Sequence, residues 1–121
     1  MKRKVVVIER DKDILQIIET ILNQQNYQVF SFLTELEALK RIEEIKPNAI
    51  ILDVIKPSTE GTKLCKAIKK TPEIKDIPVI VLSTHFDIKS FRDVCADEII
   101  SKPFDIDELI EAVNKQTVVP I

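Results

Sequence analysis

Short, wholly apolar segments that recur along the chain constrain its fold more than any other feature of the sequence. The clearest is AIIL (Ala49–Leu52), and VVVI (Val5–Ile8) and VIVL (Val79–Leu82) have the same character. A strand of such residues is covered on both faces, which is typical of the interior of a parallel sheet. The fold must therefore bury several strands beneath other elements.

Between these segments, apolar residues recur at the i, i+3, i+4 spacing of a helix. The first helix is marked by Ile14, Leu15, Ile17, Ile18, Ile21 and Leu22, and the third by Leu64, Cys65 and Ile68. Thr34 and Glu37 have the spacing of a capping box for a second helix, which ends before Pro47. Asp105 and Glu108 have the same spacing and predict the start of the last helix.

Two further segments, Gln28–Phe32 and Glu98–Ser101, bring the predicted strands to five. Strands that alternate with helices predict an α/β fold, a single doubly wound parallel sheet with helices on both faces. The least regular stretch, Phe86–Val94, predicts one shortened helix in the fourth helical position. Since no repeat, linker or composition shift marks a boundary, we expect one domain over residues 1–121 and no output domain.

The composition excludes several classes of function. A formal net charge of −2 offers no electrostatic attraction for nucleic acid or acidic membranes, so we expect neither as a partner. No apolar run approaches the roughly 20 residues that a membrane-spanning helix needs. The apolar stretch after the basic start is also too short for a signal peptide, so we expect a cytoplasmic location.

Rare residue types narrow the possibilities further. Gly61 is the only glycine, which rules out a GxGxxG fingerprint or a Walker A loop, since each needs at least two. His85 is the only histidine, so an HExxH zinc site is impossible. Cys65 and Cys95 are thirty positions apart and form no CxxC motif, and we expect two reduced, mostly buried thiols.

Polar side chains follow four of the five predicted strands. They are Glu9, Arg10 and Asp11 after the first, Asp53 after the third, Ser83 and Thr84 after the fourth, and Lys102 after the fifth. In an open parallel sheet, ligands bind outside the carboxyl ends of the strands. Acids, a hydroxyl and a lysine from distant parts of the chain are therefore expected at one edge of the sheet.

Three motifs in these positions resemble the receiver domain of two-component response regulators, and the resemblance spans the whole chain. They are LDVIKPSTEG (Leu52–Gly61), IPVIVLST (Ile77–Thr84) and SKPF (Ser101–Phe104). The resemblance implies a flavodoxin-like sheet with strand order 2-1-3-4-5. It also implies a signalling module rather than an enzyme, which receives a phosphoryl group from a histidine kinase or phosphotransfer protein and acts through protein–protein contacts.

The resemblance assigns roles to single residues. Asp53 matches the phosphoacceptor, and Ser83 matches the hydroxyl that hydrogen-bonds the phosphoryl group. Lys102 matches the lysine that pairs first with the acceptor carboxylate and then with the phosphate. The bond before Pro103 is often cis in relatives.

A magnesium site is implied as well, with Glu9, Asp53 and the backbone carbonyl of Ile55 as ligands. Its second acid position, however, is occupied by Arg10. A guanidinium has five donors and no acceptor, so it cannot ligate Mg²⁺. We therefore expect impaired Mg²⁺ binding.

Two interpretations of Arg10 remain open. Pointing inward, it is itself the cation beside Asp53, and the chain is a pseudo-receiver that binds partners independently of phosphorylation. Pointing to solvent, it leaves Glu9 and Asp11 to hold a weaker metal. We favour Arg10 as the cation. A flavin- or nucleotide-binding protein of the same fold is a third alternative, against which the missing phosphate loop counts.

Overall fold

The apolar segments form a parallel sheet, and the amphipathic segments form helices that cover it. The computed structural model describes residues 2–54, 60–83 and 95–117. The strands are β1 (Arg3–Ile8), β2 (Tyr27–Phe32), β3 (Ala49–Asp53), β4 (Val79–Ser83) and β5 (Glu98–Ser101). All neighbours pair in parallel in the order β2-β1-β3-β4-β5, which confirms the strand order that the resemblance implied.

The described helices lie on both faces of this sheet and bury their apolar stripes against it. They are α1 (Lys12–Gln24), α2 (Ala38–Ile45), α3 (Glu60–Lys70) and α4 (Ile106–Thr117). Because side chains alternate along a strand, Val5 and Val7 of β1 pack in the cluster that contains α1 and α4. Val6 and Ile8 pack in the cluster that contains α2 and α3. This double burial explains why the segment Val5–Ile8 has no polar face.

The start of α2 differs from the prediction. The helix begins at Ala38 rather than after Thr34, and Glu37 before it has a left-handed backbone with φ of 61°. Among the described residues no side chain caps this helix, and the Thr34 hydroxyl instead accepts a hydrogen bond from the Leu36 amide at 3.3 Å. The capping-box interpretation was therefore wrong, because the Thr34 side chain closes a local turn. The predicted end before Pro47 is confirmed.

The cysteines also correct a prediction. Cys65 of α3 and Cys95, just before β5, are joined in a disulfide with a Cα–Cα distance of 5.7 Å. Both residues are buried, as expected, but they are not two reduced thiols. A separation of thirty positions carries no pairing signal, whereas the fold places α3 beside the segment that leads into β5.

Three sequence-based predictions fall outside the described residues. They concern the Ile55 carbonyl, the Thr84 hydroxyl and the shortened helix over Phe86–Val94. Within the described residues, no helix combines the length and apolar character that a membrane crossing requires.

Candidate functional site

The candidate site lies at the carboxyl ends of the central strands, where the sheet register brings its residues together. Asp53 ends β3 and stands opposite Leu82 of β4. Ser83 ends β4, is fully buried, and accepts a backbone hydrogen bond from the Lys102 amide at 2.9 Å. Glu9 follows β1, and its amide bonds to the Phe32 carbonyl at the end of β2. Four strands thus position the four residues by backbone pairing.

Lys102 is the centre of this arrangement. Its Nζ atom donates to Oε1 of Glu9 at 2.6 Å and to Oδ1 of Asp53 at 2.9 Å. The peptide bond between Lys102 and Pro103 is cis, as the resemblance implied. The three side chains are 12%, 1% and 7% exposed for Lys102, Glu9 and Asp53, so the ion pairs are formed largely away from water.

This cluster holds two acids and one base, and burial is the largest influence on the pKa values of Glu9 and Lys102. Burial, together with the neighbouring Asp53, raises the pKa of Glu9 to about 7 against the opposing effect of Lys102. For Lys102, burial acts to lower the pKa, but hydrogen bonds to both carboxylates and their charges outweigh it, so the pKa is raised. Lys102 therefore stays protonated, and Glu9 titrates near neutral pH.

The acid that follows in the chain has a structural role. Asp11 is the N-cap of α1, since its Oδ1 atom accepts from the amides of Asp13 at 2.9 Å and Ile14 at 3.2 Å. Its own amide donates to Oε2 of Glu9 at 3.3 Å, which helps to hold Glu9 in the cluster. The capping bonds account for Asp11 without a metal.

The Arg10 side chain pairs with a different acid from the one predicted. Its Nε and a terminal nitrogen donate to the two carboxylate oxygens of Glu35, at 3.2 and 2.7 Å. The Arg10 side chain is 43% exposed, and both residues line a shallow cavity of about 430 Å³ with Thr34, Leu36 and Glu37. The prediction that Arg10 is the cation beside Asp53 is therefore corrected, since Lys102 makes that contact and Arg10 forms a bidentate pair with Glu35.

Glu35 is a partner of Arg10 that the sequence reasoning missed. It lies in the loop after β2, and β2 is the direct neighbour of β1 in the sheet. The loops after adjacent parallel strands lie side by side, so an acid in one loop can reach an arginine in the other. This signal was present in the sequence but depended on the strand order.

The described donor set does not by itself form a magnesium site. Glu9 and Asp53 are hard oxygen donors of the type that Mg²⁺ prefers, but Lys102 already binds one oxygen of each. Arg10 adds only donors at the second acid position. Within residues 2–54, 60–83 and 95–117, no group of three or more His, Cys, Asp or Glu side chains could hold a metal ion.

A buried lysine that pairs with the acid at the end of β3, at the carboxyl end of a five-stranded parallel sheet, is the arrangement that the receiver resemblance implied. The chain belongs to the family of response regulator receiver domains, whose family model matches residues 5–114. It is thus a receiver domain of two-component signalling, a class of signalling modules that work with histidine kinases.

Individual relatives agree with this assignment. The chain is 34% identical over 114 residues to protein PilG of Pseudomonas aeruginosa strain PAO1, covering 92% of this chain and 84% of PilG. The receiver domain of Francisella response regulator 1452 superimposes with a TM-score of 0.86 at 30% identity, covering 96% and 97% of the two chains.

A third structure shares the fold at lower identity. The receiver domain of the sensor histidine kinase PA1611 from Pseudomonas aeruginosa has a TM-score of 0.86 at 18% identity, covering 97% and 98% of the two chains. That receiver was crystallised with a magnesium ion coordinated in its active-site cleft.

Proposed function

We propose that Asp53 accepts a phosphoryl group from a phosphohistidine of a histidine kinase or phosphotransfer protein, and that the chain then signals through protein–protein contacts. The observation that carries this proposal is the 2.9 Å hydrogen bond from Lys102 Nζ to Oδ1 of Asp53. In the transfer, a carboxylate oxygen of Asp53 bonds to phosphorus, the bond between phosphorus and the imidazole nitrogen breaks, and the imidazole leaves with the electron pair. The same partner implies a cytoplasmic location.

The charge of Lys102 suits this reaction. A carboxylate must approach a donor that already carries negative charge, so transfer needs a fixed positive charge at the acceptor. Lys102 supplies that charge, and its raised pKa keeps it protonated. Because Glu9 also binds Nζ, at 2.6 Å, the ammonium is held in place when Asp53 changes from a carboxylate to an acyl phosphate.

Ser83 is the proposed hydroxyl partner of the phosphoryl group. It ends the strand next to β3, and its backbone carbonyl is bonded to the amide of Lys102. Ser83 and Lys102 are therefore tied together at the site, so a shift of one is coupled to the other. This coupling is a route from the phosphoryl group to β5 and the surface beside it.

Magnesium is proposed to have a weaker role here than in relatives. A bound divalent ion would supply additional positive charge to the phosphoryl oxygens. The Lys102 bonds to both acids and the guanidinium at the second acid position argue for weak binding in this chain. Phosphorylation is therefore expected to need more Mg²⁺ than in a receiver with two acids after the first strand.

The test is phosphorylation of the chain by acetyl phosphate across a Mg²⁺ titration, followed by intact mass. We expect one added phosphoryl group in the wild type and none in Asp53→Asn. Asp107→Asn is the matched control, since this exposed acid of α4 lies outside the site and its loss should leave labelling unchanged. An added group that persists in Asp53→Asn contradicts the proposal, as does an unlabelled wild type.

A second candidate function is a pseudo-receiver that binds partners without phosphorylation. The observation that favours it is that Arg10 occupies the position of a metal-binding acid and forms a bidentate ion pair with Glu35. Under this alternative the wild type stays unlabelled at all Mg²⁺ concentrations, while Arg10→Asp gains labelling at Asp53. If Arg10→Asp is silent as well, Arg10 is not the cause of the defect.

A further inference from the structure

The Cys65–Cys95 disulfide joins α3 to the segment that leads into β5 and Lys102. Cys65 lies in α3, the helix that comes after Asp53 in the chain, and Cys95 precedes β5, the strand that leads directly to Lys102. Both sulfurs lie in the core cluster on the α2 and α3 face of the sheet. The bond therefore fastens the entry of β5 to α3.

A second contact ties the same two segments. Lys69, one turn beyond Cys65 in α3, donates through Nζ to Oδ2 of Asp97 at 2.8 Å and to the Ile77 carbonyl at 3.1 Å. Asp97 in turn exchanges hydrogen bonds with Val79, accepting from its amide at 2.8 Å and donating to its carbonyl at 2.9 Å. This polar contact does not depend on the disulfide, so the segment keeps an anchor when the disulfide is reduced.

The cysteines themselves suit a reversible bond. A reduced cysteine packs as a small hydrophobic residue, so Cys65 and Cys95 fill their core positions in either redox state. Cys95 is 6% exposed and lies in a turn rather than in a helix or strand, so a local opening uncovers it without breaking the sheet. In a reducing compartment, protein disulfides are mostly transient or redox-sensing.

We propose that Cys65 and Cys95 form a reversible modification site for small thiols and disulfides of the glutathione class. In oxidation, the thiolate of one cysteine attacks the glutathione disulfide, forms a mixed disulfide and releases one glutathione thiolate. The second cysteine thiolate then attacks the mixed disulfide and releases the other. Two protons leave the protein thiols, and two electrons pass from them to the glutathione disulfide.

The consequence for the site rests on the proposed function, because it concerns the strand that carries Lys102. In the oxidised form, the entry of β5 is fastened by both the disulfide and the Lys69–Asp97 pair. In the reduced form, the Lys69–Asp97 pair remains and the covalent link is lost. The redox state thus sets how readily β5 shifts. Because the Lys102 amide donates to the Ser83 carbonyl, a shift of β5 also affects the proposed phosphoryl site.

The first measurement is a thiol count on the whole chain in glutathione buffers that run from fully reduced to fully oxidised. After quenching with a maleimide, intact mass is expected to change from two alkylated thiols to none within this range, with circular dichroism of a folded protein at both ends. A pair that stays oxidised throughout, or reduced throughout, overturns the proposal.

The second measurement is amide hydrogen exchange of Asp97 and β5 in the two forms. We expect exchange to be at least about tenfold faster in the reduced form, since a local anchor is lost. Equal rates would show that the bond does not fasten β5. In the double variant Cys65→Ser/Cys95→Ser, exchange should match the reduced form at every glutathione ratio. Lys69→Met is the matched control, because it removes the other anchor and should still show the two-thiol transition.

Labelling of Asp53 by acetyl phosphate in the same samples separates this proposal from the proposed function. If the cysteine pair changes from reduced to oxidised across the glutathione series while Asp53 stays unlabelled in both forms, the redox site is supported and the phosphoacceptor is contradicted. If Asp53 is labelled and the cysteine pair does not change its redox state across the glutathione series, the phosphoacceptor is supported and the redox site is contradicted.

Discussion

Glu9 and Arg10 are neighbours in the chain, yet their ion pairs differ in burial and in charge balance. Glu9 joins Lys102 and Asp53 in a cluster of side chains that are 1%, 12% and 7% exposed, with two acids to one base. Within the described part of the chain, Arg10 pairs with Glu35 as one base to one acid, and the two side chains are 43% and 9% exposed. The buried cluster is unbalanced and hidden from water, whereas the outer pair is balanced and partly hydrated.

This difference teaches that burial and charge balance, rather than the number of ion pairs, set their energetic weight. Exposed pairs contribute little because water screens them, and buried charges become costly when a partner is lost. Three sets of substitutions test the contrast, from the largest expected effect to the smallest.

The largest effect is expected from Lys102→Met, which leaves two buried acids without their cation. At pH 8 we expect a loss of about 3–5 kcal/mol in the free energy of unfolding, measured by urea denaturation. The loss should shrink at pH 5, because Glu9, whose pKa is raised to about 7, is then protonated and needs no counter-charge. Lys115→Met is the control, since Lys115 is 73% exposed and 3.9 Å from Glu98, and it should change stability little. Equal losses at both pH values would contradict the cluster as described.

Glu9→Gln tests the charge imbalance through its pH dependence. The pKa of Glu9 is raised from 4.5 to about 7, so between these values the folded state holds the proton that the unfolded state has lost. The wild type therefore loses stability from Glu9 as pH rises through this window, on the order of 3 kcal/mol in total. A glutamine side chain cannot titrate, so the variant should gain on the wild type by that amount between pH 4 and pH 8.

Urea denaturation across this pH range measures the gain. Glu35→Gln is the matched acid-to-amide change in the outer pair, and it should alter stability by no more than about 1 kcal/mol at either pH. A stability difference between wild type and Glu9→Gln that does not vary with pH would show that the pKa of Glu9 is the same in the folded and unfolded states.

The smallest effect is expected for the outer pair itself. A double-mutant cycle of Arg10→Gln and Glu35→Gln should give a coupling energy of about 0.2–1 kcal/mol, despite the bidentate geometry. Added salt should reduce this coupling, because the arginine is partly exposed. A coupling above about 2 kcal/mol would place the outer pair in the same energetic class as the buried cluster.

Most of the fold could be predicted from the sequence. The strand Glu98–Ser101 is observed with its predicted bounds, and the other four strands contain the predicted segments. The start of α2 could not be read from Thr34 and Glu37, because a hydroxyl with the spacing of a helix cap can also close a turn. The Cys65–Cys95 bond was missed for a related reason, since pairing depends on proximity across thirty positions.

The candidate site was predictable in its membership but not in all of its contacts. Glu9, Asp53, Ser83 and Lys102 lie at the ends of strands that the pattern placed correctly, so their convergence follows from topology. The destination of Arg10 was not predictable, because a long side chain can reach in more than one direction. Only the position of the loop after β2 decides that it meets Glu35.

By itself, the sequence determined the class of fold, the order of its elements and the edge of the sheet where the polar residues meet. Those properties depend on periodicity, apolar runs and the order of elements, which can be read from neighbouring residues in the sequence. The tertiary structure alone decided which charges meet: Lys102 bonds to Glu9 across 93 positions, and Arg10 to Glu35 across 25. Such pairings depend on side-chain direction and loop geometry, which arise only when the chain has folded.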